Sequence, residues 1–404
     1  MDMLDRAARD HKGRIVAALA ARFRDLDIAE EAFAEACARA VAAWSAEAPR
    51  DAAAWLYRVA DRVALDMLRR HAIRAGAALP PPEPEPTAEE LLMDDAAIIP
   101  DERLRLIFVC CHPAIHPEAR AALTLKLVCG LTTLEIAHAF LTSETTVAQR
   151  MVRAKRKIAD AAISFEVPGP EAWPAHIDAV LSTIEIAYAR AHADAAGDGR
   201  HAGYAAEMLQ VTATLATLIP NDADVLALAA TIRFAEARRP ARIDANGVMV
   251  PLDEQDPKQW DAPLIAEARP YLARALSIAP ASPRVLASLI HGEWCARASL
   301  SLPPPWPAIL TIYDALIAVR DDPVTQLNRA VALTQVRGAA AALDEVDALA
   351  LPGLAEFLPY HAVRADLLAR LGHRSAARRA YNAALRLAPG SAERRWLERQ
   401  RDGC

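Results

Sequence analysis

Between Leu131 and Lys157 the chain carries two amphipathic helical patterns on either side of a tight break, and no other stretch limits the fold as strongly. Leu131-Thr132-Thr133-Leu134-Glu135-Ile136-Ala137-His138-Ala139-Phe140 opens on a threonine cap and reads as a short helix. Leu141-Thr142-Ser143 interrupts it, and Glu144-Thr145-Thr146-Val147 begins a second helix whose Val147, Met151, Ala154 and Ile158 form an apolar stripe. Gln149, Arg150, Arg153, Lys155, Arg156 and Lys157 lie wholly or partly outside that stripe. Short helix, turn and longer basic helix is the helix-turn-helix layout, whose second helix enters the major groove. There glutamine and arginine can read base edges while lysines neutralise phosphate. An ordinary helical hairpin with a solvated basic face would carry the same pattern.

The rest of the chain agrees with an all-α fold. Apolar types make up 53% of the residues but aromatics only 5%, the surplus being alanine, and glycine is scarce at 14. That balance favours helix and argues against sandwiches and barrels. At 404 residues there is room for two or three domains. The net charge of −6 excludes a polycation overall. No run approaches the ~20 apolar residues of a membrane span, and Met1 leads into Asp2, Asp5 and Arg6 without a signal-peptide core. The cysteines are scattered, unlike a disulfide framework. A cytoplasmic, reduced, membrane-free protein is expected.

Charge is unevenly placed. Residues 54–76 hold Arg58, Arg62, Arg69, Arg70 and Arg74 against Asp61 and Asp66, whereas 80–102 hold only acids: Glu83, Glu85, Glu89, Glu90, Asp94, Asp95, Asp101 and Glu102. Pro80-Pro81-Pro82-Glu83-Pro84-Glu85-Pro86 cannot be a helix interior and reads as an extended tether, either a solvated spacer or an acidic strip competing for the basic helices. Pro168, Pro170 and Pro174 mark a later boundary. The expected domains are therefore 1–76, a linker over 77–100, 101–168, and 169–404.

In the first domain Ile15, Val16, Leu19, Ala20 and Phe23 recur at helical spacing. A second helix with Ile28, Ala32 and Ala36 begins near Asp27, read as its N-cap with Glu30 three residues on. Trp55, Val59, Val63 and Met67, with Leu56 beside them, give a third helix a wide apolar stripe with its arginines largely off it. A basic helix of this kind can equally be a solvated surface.

Residues 131–158 resemble region 4 of the bacterial sigma-70 family, extracytoplasmic-function (ECF) group: Thr146-Val147 and Arg150 through Lys157 match its recognition helix, and Glu135-Ile136-Ala137 the supporting helix. Asp27 through Cys37 resembles region 2.2, and Trp55-Leu56, Arg58, Ala60, Asp66 and Arg69-Arg70 resemble regions 2.3–2.4. Ala34, Cys37, Leu141 and Ala148 depart from the common pattern. The resemblance implies two small helical sigma domains, a region 2 bundle and a region 4 helix-turn-helix. It assigns Thr145, Thr146, Gln149, Arg150, Arg153, Lys155, Arg156 and Lys157 to the −35 promoter element. Trp55, Arg58, Arg62, Arg69 and Arg70 fall to the −10 element, and Asp27, Glu30, Glu31 and Glu35 to the RNA polymerase core.

Across the whole chain, Asp101 through Phe108, Cys110-Cys111-His112-Pro113 and Ala148 through Ile158 resemble the ECF subgroup with a tetratricopeptide (TPR) extension. Gly372, Ala377, Tyr381, Ala384 and Pro389 fall at TPR offsets independently of that resemblance. Ala268, Leu272, Ala275 and Pro280 repeat the last four, and Asn328–Leu343 with Gly338 gives a degenerate unit. A TPR-like α-solenoid over 169–404 offers a concave surface for a peptide, a protein or the sigma half itself. The polar insertion Ala237–Asp256 fits the repeat poorly and reads either as a structured loop with surface ion pairs or as a docking or ligand patch.

Cys110, Cys111, His112 and His116 are the obvious metal candidates, but consecutive helical residues diverge by ~100°. Core cysteines before a Pro113 break are the simpler reading, so no metal, cofactor or catalytic residue is assigned. The expectation is a non-enzymatic sigma factor joining polymerase core and promoter DNA, with the TPR domain touching the sigma half and acting in cis. A helix-turn-helix regulator with a TPR sensor that never joins polymerase is the alternative.

Overall fold

The computed structural model describes residues 2–44, 49–74, 103–112, 114–128, 131–139, 142–161, 163, 173–194, 202–349, 354–387 and 389–404. The acidic tether, with Asp101, Glu102, Pro168 and Pro170, lies outside the described residues, as do Cys129, Phe140 and Leu141. Among those described no strand forms, and an isolated bridge joins Ile243 to Met249. The chain divides into two compact units, Met1–Arg190 and Ala191–Cys404.

The first unit opens with α1 (Asp2–Phe23), α2 (Leu26–Ala43) and α3 (Ala52–Arg74), which pack on one another. The expected α1 stripe is present, with Ile15, Val16, Leu19 and Ala20 buried. Arg24, at φ +54°, reverses the chain after α1 and places Asp25 in extended backbone. Asp25, not the expected Asp27, is therefore the N-cap of α2: its carboxylate accepts from the backbone N–H of Asp27 at 2.9 Å and of Ile28 at 3.0 Å. On α3 the core line runs through Ala54, Leu56, Ala60, Val63 and Ala64, while Trp55, Val59 and Met67 are only half-buried. The apolar stripe is thus rotated from its expected centre, because alanines let the three helices approach more closely than tryptophan or methionine would.

The unit continues with α4 (Arg103–Cys110), α5 (Pro117–Leu127), α6 (Thr133–Ala139), α7 (Glu144–Asp160) and most of α8 (Trp173–Asp194), which runs past the boundary at Arg190. Helix α1 also packs on α4 and α5. Gly13 makes this approach possible, since a Cβ there would stand 2.0 Å from the Val128 carbonyl oxygen.

The second unit comprises α9 (Ala202–Leu218), α10 (Ala223–Ala237), α11 (Ala262–Ile278), α12 (Pro283–Cys295), α13 (Trp306–Val319), α14 (Pro323–Arg337), α15 (Ala339–Asp347), α16 (Leu358–Arg370), α17 (Arg374–Arg386) and α18 (Ser391–Asp402). Aspartates cap several of them: Asp222 accepts from Asp224 and Val225 N–H, Asp261 from Leu264, and Asp322 from Val324 and Thr325. Each helix packs mainly on its neighbours in sequence, as in a stacked array. The core is correspondingly strung out in clusters around Phe234 and Leu272, around Trp294 and Leu333, and around Tyr381 and Leu397. Ala268, Leu272 and Ala275 on α11 and Ala377, Tyr381 and Ala384 on α17 are all buried at the same spacing.

The Ala237–Asp256 insertion is a built loop. The Asp244 carboxylate accepts from the N–H of Asn246 and Val248, at 2.8 and 2.9 Å. Gly247, at φ +72°, leaves room for the Arg395 guanidinium, which donates to the carbonyls of Asn246 and Gly247. Met249 N–H donates to the Ala392 carbonyl, so the loop is tied to α18. Where it leaves α10, its contacts are more buried than the surface ion pairs expected. Arg239 meets Glu236 at 2.7 Å with only 8% of the glutamate side chain exposed. Arg238 is buried against His291 Nδ1, at 2.7 Å, and Cys295 Sγ, at 3.3 Å.

Candidate nucleic-acid interface

Helix α7 starts where Ser143 Oγ accepts from Thr146 N–H at 3.2 Å. Its buried residues are Val147, Met151, Ala154 and Ile158, which pack on α5 and α6. Thr145, Gln149, Arg153, Arg156 and Lys157 are exposed, while Thr146, Arg150 and Lys155 are half-buried. Thr146 also shares a 2.8 Å hydroxyl contact with Ser143, which commits it to the cap. Arg153 Nε donates to the Gln149 carbonyl at 3.3 Å, and Arg156 lies 3.5 Å from Asp160 with 82% of its side chain exposed. Val152, 67% exposed, stands on the same face as Gln149 and Arg156. A reading by polar residue type overlooked it, although its i+3 spacing from Gln149 placed it there.

The arginines of α3 are more engaged. Arg58 Nε donates to the Ala54 carbonyl at 3.3 Å, and Arg69 lies 3.6 Å from Asp66. Arg62 is half-buried and Arg70 exposed. Trp55 packs edge-on against Trp44, ring centres 5.4 Å apart, a partner the sequence did not point to.

On α2, Asp27, Glu31 and Glu35 are exposed and Glu30 is half-buried. Glu35 pairs with Arg39 at 2.9 Å. Asp27 and Glu30 meet the other candidate site directly: Lys155 Nζ of α7 lies 2.7 Å from Asp27 Oδ1 and 2.5 Å from Glu30 Oε2. Burial pulls the Lys155 ammonium down, but hydrogen bonds to the two carboxylates and their charges outweigh it, leaving Lys155 above its ordinary value. A cleft of about 470 Å³ beside this contact is lined by Lys126, Met151, Val152 and Arg156 as well. One residue assigned to DNA and two assigned to polymerase therefore occupy each other.

Cys110 and Cys111 are fully buried. Cys111 Sγ lies 3.8 Å from Thr124 Oγ1 on α5 and 3.6 Å from Thr183 Oγ1 on α8, and burial pushes its thiol up. The rings of His112 and His176 stand 5.4 Å apart. These contacts pack α8 onto the helix-turn-helix half. Among the described residues no group of three metal-ligating side chains converges, and no helix is long and apolar enough to cross a membrane.

A capped basic helix in a helix-turn-helix, preceded by a three-helix bundle with acidic and arginine-bearing faces, defines a class of transcription protein. Comparison with known families agrees: residues 7–73 match sigma-70 region 2 and residues 105–158 match sigma-70, region 4. The chain belongs to the sigma-70 family. Residues 176–276 match a family of unknown function, DUF6596. An uncharacterized protein of Rhizobium meliloti (strain 1021) is 35% identical over 413 residues, spanning 99% of this chain and 95% of the relative.

Proposed function

We propose that the protein is an ECF-group sigma factor that brings RNA polymerase core to −35 and −10 promoter elements, with a TPR-like C-terminal domain regulating it in cis. The exposed basic face of α7 over its buried Val147–Ile158 stripe carries this reading. Gln149, Arg153, Arg156 and Lys157 are exposed where a major groove would lie, and Val152 offers an apolar contact for a thymine methyl. Trp55, Arg58, Arg62, Arg69 and Arg70 would serve the −10 element, and Glu31 and Glu35 the polymerase. The repeated burial of small residues on α11 and α17 supports the TPR part. The α8 packing around Cys111 and Thr183 supports a physical route from the extension into the sigma half. The proposed domains are 1–76, 101–168 and 169–404, joined at the acidic linker 77–100.

The Lys155 bridge implies that α7 must leave α2 before both surfaces act together. The test is transcription in vitro by core polymerase with and without the chain, with the transcripts sequenced. Promoter-specific starts that depend on the chain are expected. DNA binding without polymerase capture would instead favour a regulator that works alone.

A further inference from the structure

The second unit holds a cavity of about 380 Å³ between the turn at Pro251–Glu254 and helices α14, α16 and α18, with Trp306 of α13 also lining it. Its walls are largely apolar, and two indoles, Trp306 and Trp396, line it. Trp306 is held edge-on by Trp294, ring centres 4.9 Å apart. The charged lining is lopsided: Asp253, Glu254, Asp366 and Glu393 against Arg370. Arg370 is taken by Asp366 at 2.7 Å. Asp253, Glu254 and Glu393 have no ion-pair partner among the described residues.

We propose that this cavity binds a small organic cation, a primary ammonium or guanidinium carried on a compact apolar body. The volume suits such a ligand. The indole faces attract a cation as well as an apolar chain, and carboxylates supply charge-assisted hydrogen bonds. Partial burial pushes the carboxyl of Glu393 up, with Arg242 opposing it only in part; the exposed Glu254 is raised as well by its lesser burial, with Asp253 adding to the effect and Arg399 opposing it. A bound cation offsets that desolvation. The Ala237–Asp256 insertion gains a purpose: the contacts of Met249, Asn246 and Gly247 with α18 hold one wall against another.

The test is calorimetric titration of the full chain with phenethylamine, agmatine and the neutral 2-phenylethanol. At least one of the two cations should bind saturably at one site, and the alcohol at least tenfold more weakly. Glu254→Gln with Glu393→Gln should weaken cation binding at least tenfold while leaving helical content unchanged. Trp396→Leu should weaken cation and alcohol together. Absence of binding by both cations, an alcohol that binds as tightly, or a carboxamide double variant that keeps its affinity would overturn the proposal. No arm uses polymerase or DNA, so this site and the sigma reading stand or fall separately.

Discussion

Lys155 in the first unit and Arg329 in the second are held in nearly the same way. Lys155, 19% exposed, sits 2.7 and 2.5 Å from Asp27 and Glu30. Arg329, 17% exposed, sits 2.5 Å from both Asp314 and Glu345. In each, burial pulls the cation down and two carboxylates more than restore it. The difference lies in what is joined. Arg329 spans 15 and 16 residues and staples α14 to its neighbours α13 and α15. Lys155 reaches across 125 and 128 residues and joins two helices whose proposed tasks are separate. The local clamp therefore ties neighbouring helices of the fold, and under the proposed function the distant one is a closure that must be released.

The first way to break this comparison is to alter the part of α2 that Lys155 leaves free. Glu31→Lys with Glu35→Lys should reduce capture of core polymerase tenfold or more in a pull-down. Both side chains are exposed, so unfolding stability should shift by no more than about 0.5 kcal/mol. Normal capture would mean that the polymerase does not use this face. Next in size, Arg150→Ala with Arg153→Ala should cost about 1–3 kcal/mol in −35 DNA binding, read by titration against labelled duplex. Lys157→Ala should weaken all sequences alike and lower the salt slope by about one. Loss of discrimination in the lysine variant would reverse those roles.

What the sequence disclosed follows from residue size and distance. The α7 stripe of Val147, Met151, Ala154 and Ile158 was legible because its large side chains fit one helical face only. Alanine suits either face of a helix, so Ala54, Ala60 and Ala64 carry no signature, and the larger Trp55, Val59 and Met67 draw the expected α3 stripe off-centre. Asp25 and Asp27 are equivalent cap candidates by type, and the positive φ of Arg24 that decides between them has no sequence signature. The Lys155 bridge was invisible for a different reason. Its members stand out by charge as candidates for separate contacts, yet nothing local couples positions 125 apart. The burial of Arg238, in a loop expected to carry surface ion pairs, has no local sign either, because its partners His291 and Cys295 lie on a helix more than 50 residues away.

A smaller effect separates the two clamps directly. Lys155→Met removes a partly exposed pair of the kind worth about 0.5–1 kcal/mol. If the closure occupies carboxylates the polymerase needs on Asp27 and Glu30, losing it should raise core-polymerase affinity roughly two- to five-fold without DNA present. Arg329→Met should leave that affinity unchanged and lower only the thermal midpoint. Equal behaviour of the two variants toward polymerase would end the distinction.

The smallest expected effect is the response of these clamps to alkali. The Lys155 ammonium is raised above its ordinary 10.5 in the folded chain. A raised cation stabilises the fold fully below its unfolded value and loses that stabilisation as pH climbs through the folded value. The stability difference between the wild type and Lys155→Met should therefore stay level from neutral pH to about 10 and shrink only above 10.5. The Arg329 guanidinium ordinarily titrates far above that window and is raised further, so the wild-type difference from Arg329→Met should stay level over the same range. Urea unfolding at closely spaced pH values measures both, and subtraction cancels the titration of the other lysines. A Lys155 difference that grew with pH would mean that burial outweighs its two carboxylates, and the closure would then cost stability at neutral pH.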